Sequence, residues 1–201
     1  MCFFSRLTLT VSQLKVRYKA EPNDMDNYMP SEEYNGFTFP ATPVITNNSP
    51  DKIQLFNWGL MPSWAKDESF RKNTLNARVE TLHEKPSFRP YLQNHCLILA
   101  DGFYEWQWLD PKGTRKQKYL ITPEDRQPFA FAGLWNTWTD RSTGIILNTY
   151  TIITKPANEL MAEIHNTKQR MPFILSLENE KSWLEGRKID FGDVRLVAKA
   201  I

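Results

Sequence analysis

The sequence predicts an α+β domain built on a curled, mainly antiparallel sheet, barrel-like, with a few peripheral helices. Three observations carry that expectation. Runs of strand length rich in β-branched and aromatic residues outnumber helical patterns. Turn-forming residues separate consecutive runs, as in hairpin-connected sheets. Aromatic residues make up 13% of the chain and include 7 Trp, enough to fill a substantial core and leave rings for surface stacking. A chain of 201 residues suits one well-buried domain, so residues 1–201 read as a single unit.

The elements follow in order. Thr10 can cap a helix with Val11, Leu14 and Tyr18 on one face. Residues 21–50 hold Pro22, Asn23, Asp24, Pro30, Gly36, Pro40, Pro43, Asn47, Asn48 and Pro50, and read as an extended loop over the core. Residues 53–58 alternate in part, with Ile53 and Leu55 on one side. Residues 96–100 are an apolar run, and the strand pattern of 102–108 follows directly. Segments 116–122, 128–135 and 145–154 complete the strands. Asp110-Pro111-Lys112-Gly113 and residues 139–144 are their hairpin connections. Pro156 fits the first turn of a helix with Leu160, Met161 and Ile164 as its apolar stripe. Ser176 can cap another, containing Leu177, Trp183 and Leu184. Trp58 is read as core; Trp64 has two readings, core packing or a wedge that stacks on an unstacked base.

Composition excludes several classes. Lys and Arg total 25 against 23 Asp and Glu, a net charge of +2, which rules out a histone-like binder and permits a local basic groove. The two cysteines, Cys2 and Cys96, argue against a disulfide framework and point to a reducing cytosol. The start, Met1-Cys2-Phe3-Phe4-Ser5-Arg6, lacks the pattern of a secretory signal, and no apolar stretch is long enough to span a membrane. A soluble, cytoplasmic monomer without membrane contact is expected. His83, His95 and His165 have no ligand spacing with either cysteine, and no Gly-rich phosphate loop occurs. No metal and no cofactor is therefore expected.

Four segments can carry chemistry. Cys2 is either an incidental small residue near a chain end or, once Met1 is removed, a 1,2-aminothiol. Such an amine has a reference pKa of about 7.7–8.0, so part of it is neutral and nucleophilic near pH 7. It can form a Schiff base with an aldehyde, and the adjacent thiol can close a five-membered thiazolidine. In Leu75-Asn76-Ala77-Arg78-Val79-Glu80-Thr81, Asn76 can hold a carbonyl or hydroxyl and Arg78 can grip a phosphate. A strand end with a surface ion pair is the alternative. Glu105, between Tyr104 and Trp106, either faces a pocket with a raised pKa, as a general acid, or projects to solvent. His165 ends the predicted helix, where the dipole favours its protonated form. It reads as a helix cap or as a proton shuttle or Schiff-base stabiliser, with Lys168 and Arg170 as phosphate contacts.

Cys2, Trp-Gly-Leu-Met-Pro-Ser-Trp, Asn-Ala-Arg-Val-Glu-Thr, Asp-Gly-Phe-Tyr-Glu-Trp and a late His followed by Arg-Met-Pro occur in that order. Together they resemble the SOS response-associated peptidase (SRAP) family over nearly the whole chain. The resemblance implies a barrel-like α+β fold that binds single-stranded DNA and crosslinks to abasic sites through its N-terminal cysteine. It implies Cys2 as nucleophile, Asn76 orienting the opened sugar, and Glu105 assisting ring opening and proton transfer. It further implies His165 in the Schiff-base chemistry and Arg78 on a phosphate. The chain departs from the family in two places. Phe3 and Phe4 replace the usual Gly and Arg, with Arg6 available as a substitute phosphate contact. Asn166 to Gln169 separate His165 from Arg170, three residues more than usual.

Two other activities fit the same residues. An N-terminal cysteine can hydrolyse amides, removal of Met1 being one limited form. A non-catalytic nucleic-acid-binding module would use only the basic and aromatic residues.

Overall fold

The computed structural model of the chain describes residues 2–189, 192 and 194–201. Its first strand, β1 (Phe4–Leu7), leads into helix α1 (Val11–Tyr18). Thr10 caps α1 through a reciprocal box: its side chain accepts from the Gln13 amide, and Gln13 accepts from the Thr10 amide. Leu14 is the fully buried residue of that helix.

Residues 21–50 are where the loop expectation fails. They form β2 (Glu21–Pro22), β3 (Ser31–Asn35) and β4 (Ala41–Thr46), and begin β5 (Ser49–Trp58). β4 pairs with β5 on one side and, through Val44, Ile45 and Thr46, with a central strand on the other. Its Val44 and Ile45 are buried. Long-range pairing and burial override the turn propensity of the prolines around them.

Next come β6 (Asn76–Arg78), β7 (His95–Ala100), β8 (Gly102–Trp108), β9 (Lys116–Pro123), β10 (Phe129–Thr139) and β11 (Ile146–Pro156). The chain then forms helix α2 (Glu159–Ile164), β12 (Arg170–Pro172), β13 (Ile174–Leu175), helix α3 (Leu177–Leu184) and β14 (Leu196–Ala200). Pro156 ends β11, opposite Arg170, instead of opening the helix. Asn158 is the cap of α2, accepting from the Met161 amide. Ser176 does precede α3 but makes no side-chain cap bond, and Leu177 is exposed. Among the described residues, no helix is long and apolar enough to cross a membrane.

Five strands, ordered β14-β9-β8-β1-β3, form one antiparallel sheet. The second runs β12-β11-β10-β7-β4-β5-β2, with β13 on β10 and β6 on β11. A parallel pairing of β11 with β5, Thr149 opposite Asn57 and Tyr150 opposite Trp58, closes β11, β10, β7, β4 and β5 into a ring. The expected barrel-like α+β architecture is therefore present.

Alternation along the ring strands feeds two cores on opposite faces. Ala130, Ala132 and Leu134 of β10 and Leu97 and Leu99 of β7 join Leu14, Phe173 and the flank of Trp183. Phe129 and Phe131, with Cys96, Ile98 and Ala100, join Trp58, Tyr150, Phe103, Ile121 and Cys2. Gly133 lies on this second face, where a Cβ would fall 2.1 Å from Ile98 and 2.9 Å from the Cys96 sulfur. No larger residue fits there without displacing a neighbouring strand.

Candidate active site

The chain start enters the second core. Cys2 has no exposed surface, and burial, reinforced by the nearby Glu105 carboxylate, pushes its thiol pKa well above the usual range. The thiol lies 3.8 Å from the Phe4 carbonyl oxygen. Met1, whose loss would expose the Cys2 amine, lies outside the described residues.

Asn76 reaches Cys2 from β6. This three-residue strand runs parallel to β11, with Asn76 opposite Ile152, Ala77 opposite Ile153 and Arg78 opposite Thr154. The Trp58 indole N–H secures its entry by donating to the Leu75 carbonyl at 2.8 Å. Trp58 is itself buried and stacked on Tyr150. Thus the Trp-Gly-Leu-Met-Pro segment holds the Asn-Ala-Arg segment in place. Gly59, with φ +101°, makes the turn possible, because a Cβ there would meet Arg71 at 2.8 Å. The Asn76 amide Nδ2 donates to the Cys2 carbonyl oxygen at 2.8 Å. Its Oδ1 is buried without a hydrogen-bond partner among the described residues. An unsatisfied buried acceptor is costly in a core, and is useful where a substrate hydroxyl or protonated amine must be received.

Glu105 lies on β8, two residues after Phe103, so strand alternation turns both toward the second core. It is 5% exposed, and burial pushes its pKa up to about 7. Of its two sequence readings, the inward one is the one observed. A carboxyl poised near neutrality can both give and take a proton.

His165 caps the C-terminal end of α2, where its amide donates to the Met161 carbonyl at 2.8 Å. The helix docks on the strand that carries Glu105: Gln107 donates to the Glu163 carbonyl, and Asn166 bonds the Trp108 backbone in both directions. The ring is buried, with Nδ1 2.9 Å from the Arg170 carbonyl oxygen and 3.1 Å from the Arg170 amide nitrogen. Burial lowers the His165 pKa to about 4, so the imidazole is neutral at physiological pH. The dipole-based expectation of a protonated ring is reversed, because desolvation of the cation exceeds a helix-end effect of at most about 2 kcal/mol.

The four expected phosphate or base contacts separate into two groups. Arg78 and Lys168 are exposed. Trp64 is 52% exposed, its ring edge on Phe70, so the core-packing reading of this residue fails. Arg170, by contrast, is buried. Its guanidinium forms a bidentate pair with Glu80 and also donates to the Thr154 carbonyl at 2.7 Å. This internal pairing corrects its assignment as a phosphate contact: the guanidinium ties β12 to the Asn-Ala-Arg-Val-Glu-Thr segment and to β11. Arg6 is likewise engaged, pairing with Glu32 and Asp101.

Sequence reasoning missed Glu80 and Tyr150. Glu80 was visible only as one half of a surface ion pair, yet it is the partner of the buried Arg170, a contact 90 residues apart. Tyr150 carried no local signal; its hydroxyl bonds Thr42 at 2.8 Å within the core that holds Cys2.

The chain is similar to known proteins in sequence and in fold. The family model for SOS response associated peptidase (SRAP) matches residues 1–200. Abasic site processing protein YoqW of Bacillus subtilis is 43% identical over 177 residues, covering 85% of this chain and 76% of that protein. Abasic site processing protein HMCES of Mus musculus is 32% identical over 209 residues, covering 85% of this chain and 56% of that longer protein. A crystal structure of a Bacteroides thetaiotaomicron protein superimposes with a TM-score of 0.90 at 34% identity, covering all of this chain and 92% of that one. The chain belongs to the SRAP family.

Proposed function

We propose that this protein processes abasic sites in DNA, and that it does so by capturing them in single strands through a covalent bond to Cys2 after Met1 is removed. The observation that carries this reading is the 2.8 Å bond from Asn76 to the Cys2 carbonyl, beside a buried Glu105 whose charge acts on the Cys2 thiol. The names of the relatives, abasic site processing proteins, support the substrate class.

An abasic deoxyribose is mostly a closed hemiacetal. A protonated Glu105 donates to the ring oxygen and takes up the C1′ hydroxyl proton on its other oxygen, which opens the sugar, frees the C1′ aldehyde and restores the acid. The neutral Cys2 amine adds to C1′, and the carbinolamine loses water, taking a proton from Glu105, to give the Schiff base. The Cys2 sulfur then adds to the same carbon and returns its proton to the Glu105 carboxylate, closing the thiazolidine; the net change is loss of one water. The raised thiol pKa favours this order, because a protonated buried thiol is a poor first nucleophile whereas the amine is partly neutral near pH 7. Asn76 fixes the Cys2 backbone and offers Oδ1 to the opened sugar. Neutral His165 serves as a proton acceptor held by the Arg170 backbone. Holding amine, thiol, acid and amide about one carbon makes the reaction effectively intramolecular.

Exposed Arg78, Lys168 and Trp64 supply strand contacts in this reading, with little sequence preference because phosphates and stacking dominate. The test is incubation with single-stranded DNA bearing one abasic site, followed by denaturing electrophoresis. A denaturation-resistant adduct is expected from the parent and none from Cys2→Ala. Equal crosslinking by Cys2→Ala would overturn the mechanism.

A further inference from the structure

The Phe3 and Phe37 rings form a surface feature that the crosslinking chemistry leaves unused. Phe37 sits at the tip of a single 3-10 turn, Gly36–Thr38, and is 51% exposed. Turn tips ordinarily carry small or polar residues.

The turn is tightly held. The Phe37 amide donates to Asn35 Oδ1 at 3.0 Å, and the Thr38 hydroxyl donates to the Asn35 carbonyl at 2.8 Å. The Gly36 amide donates to the Phe3 carbonyl at 2.8 Å. Gly36 rests on the buried Trp58 indole: a Cβ there would meet the Phe3 carbonyl oxygen at 3.2 Å and the indole at 3.3 Å. Phe3, half-buried, packs its ring against Phe37 with centroids 4.8 Å apart and planes 35° apart. Phe3 is also the residue after Cys2, whose carbonyl Asn76 holds. A rigid aromatic pair therefore begins one residue from the nucleophile, with one ring seated on the core and the other open to solvent.

We infer that Phe3 and Phe37 form a stacking platform for the nucleobase adjacent to the lesion. This rests on the reading that Cys2 captures abasic sites in single-stranded DNA. At an abasic site the neighbouring base has lost one stacking partner, and an aromatic face held beside the reacting carbon replaces it. Stacking on a phenyl ring tolerates any base and strengthens with base area, so purines gain more than pyrimidines and a base-less neighbour gains nothing. The platform thus makes sequence context at one flanking position a determinant of capture.

The experiment uses two sets of oligonucleotides, each made with the variable neighbour on the 5′ or the 3′ side of the lesion. In the first, a tetrahydrofuran site, which has no aldehyde, sits beside 2-aminopurine, whose fluorescence reports stacking. Titration with the full-length protein is expected to quench the fluorophore. Phe37→Ala is expected to bind roughly five- to tenfold more weakly and to lose most of the quench, while Phe37→Tyr retains both. Parent-like binding and quenching by Phe37→Ala would overturn the platform, as would parent binding without any quench on either flank. The second set carries a true abasic site with adenine or a tetrahydrofuran as neighbour. The parent is expected to form adduct about fivefold faster beside adenine at subsaturating DNA, and Phe37→Ala to erase that ratio. A ratio unchanged by Phe37→Ala counts against the platform alone; absence of adduct from the parent on either strand counts against the crosslinking reading instead.

Discussion

The Asn76 side-chain amide bonds the Cys2 carbonyl oxygen at 2.8 Å while its own Oδ1 is buried without a partner among the described residues. One side chain thus fixes the nucleophile's backbone and keeps an acceptor in reserve. Asn76→Ala is expected to lower the crosslinking rate by about one to two orders of magnitude, through loss of positioning. Its stability should fall by only about 1 kcal/mol, because the lost bond is partly offset by removal of the unsatisfied Oδ1. Crosslinking time courses and urea denaturation on the same preparations separate the two effects. An unchanged rate would remove Asn76 from the site.

Glu105 gives a pH signature. Its pKa is about 7 in the fold against 4.5 for an ordinary carboxyl, so the unfolded chain ionises first and stability falls as pH rises from about 4.5 through about 7. Glu105→Gln cannot ionise. It is expected to be more stable than the parent at pH 8, by up to about 3 kcal/mol, and little different at pH 4. Its crosslinking should be slower and should lose the decline above neutral pH that ionisation of a general acid causes. Denaturation midpoints at the two pH values check the first point; an equal gain at both would contradict it.

His165 titrates the other way. Its pKa is lowered to about 4 from 6.5, so on acidification the unfolded chain takes up the proton first. The stability it contributes is present above pH 6.5 and is lost as pH falls toward 4. Proton NMR of the imidazole should show a midpoint well below 6.5. A midpoint at or above 6.5 would restore the protonated helix-end reading.

Arg170 and Arg78 should behave oppositely. Arg170 is buried against Glu80 and Thr154, so Arg170→Ala is expected to cost about 2–4 kcal/mol of stability by breaking the clamp. Arg78 is exposed, so Arg78→Ala should leave stability within about 0.5 kcal/mol and reduce the salt dependence of DNA binding by about one unit of slope. Chemical denaturation and salt titrations of binding measure both. A normal Tm in Arg170→Ala with a shallower salt slope would make it a phosphate contact after all.

The sequence made legible what is local. The Thr10 cap and its helix, the hairpins at 110–113 and 139–144, and the strand carrying Glu105 all follow from patterns within a few residues. The strands within residues 21–50 did not, because β4 owes its existence to partners in β5 and β7 and its prolines argue against it locally. The helix after β11 shifted for a similar reason: Pro156 is retained by its strand pairing with Arg170. Among the site residues, inward-facing Glu105 could be read from alternation. The neutral state of His165 and the internal pairing of Arg170 could not, since both depend on burial by elements distant in sequence.

Intact mass measurement of the denatured adduct addresses the central claim most directly. The protein, incubated with a single-stranded oligonucleotide bearing one abasic site, is expected to show the chain beginning at Cys2 plus the oligonucleotide, less one water. Alkylation of the unfolded adduct should then label Cys96 and leave Cys2 unmodified. An adduct on a chain that retains Met1, or one in which Cys2 is still alkylated, would contradict the account.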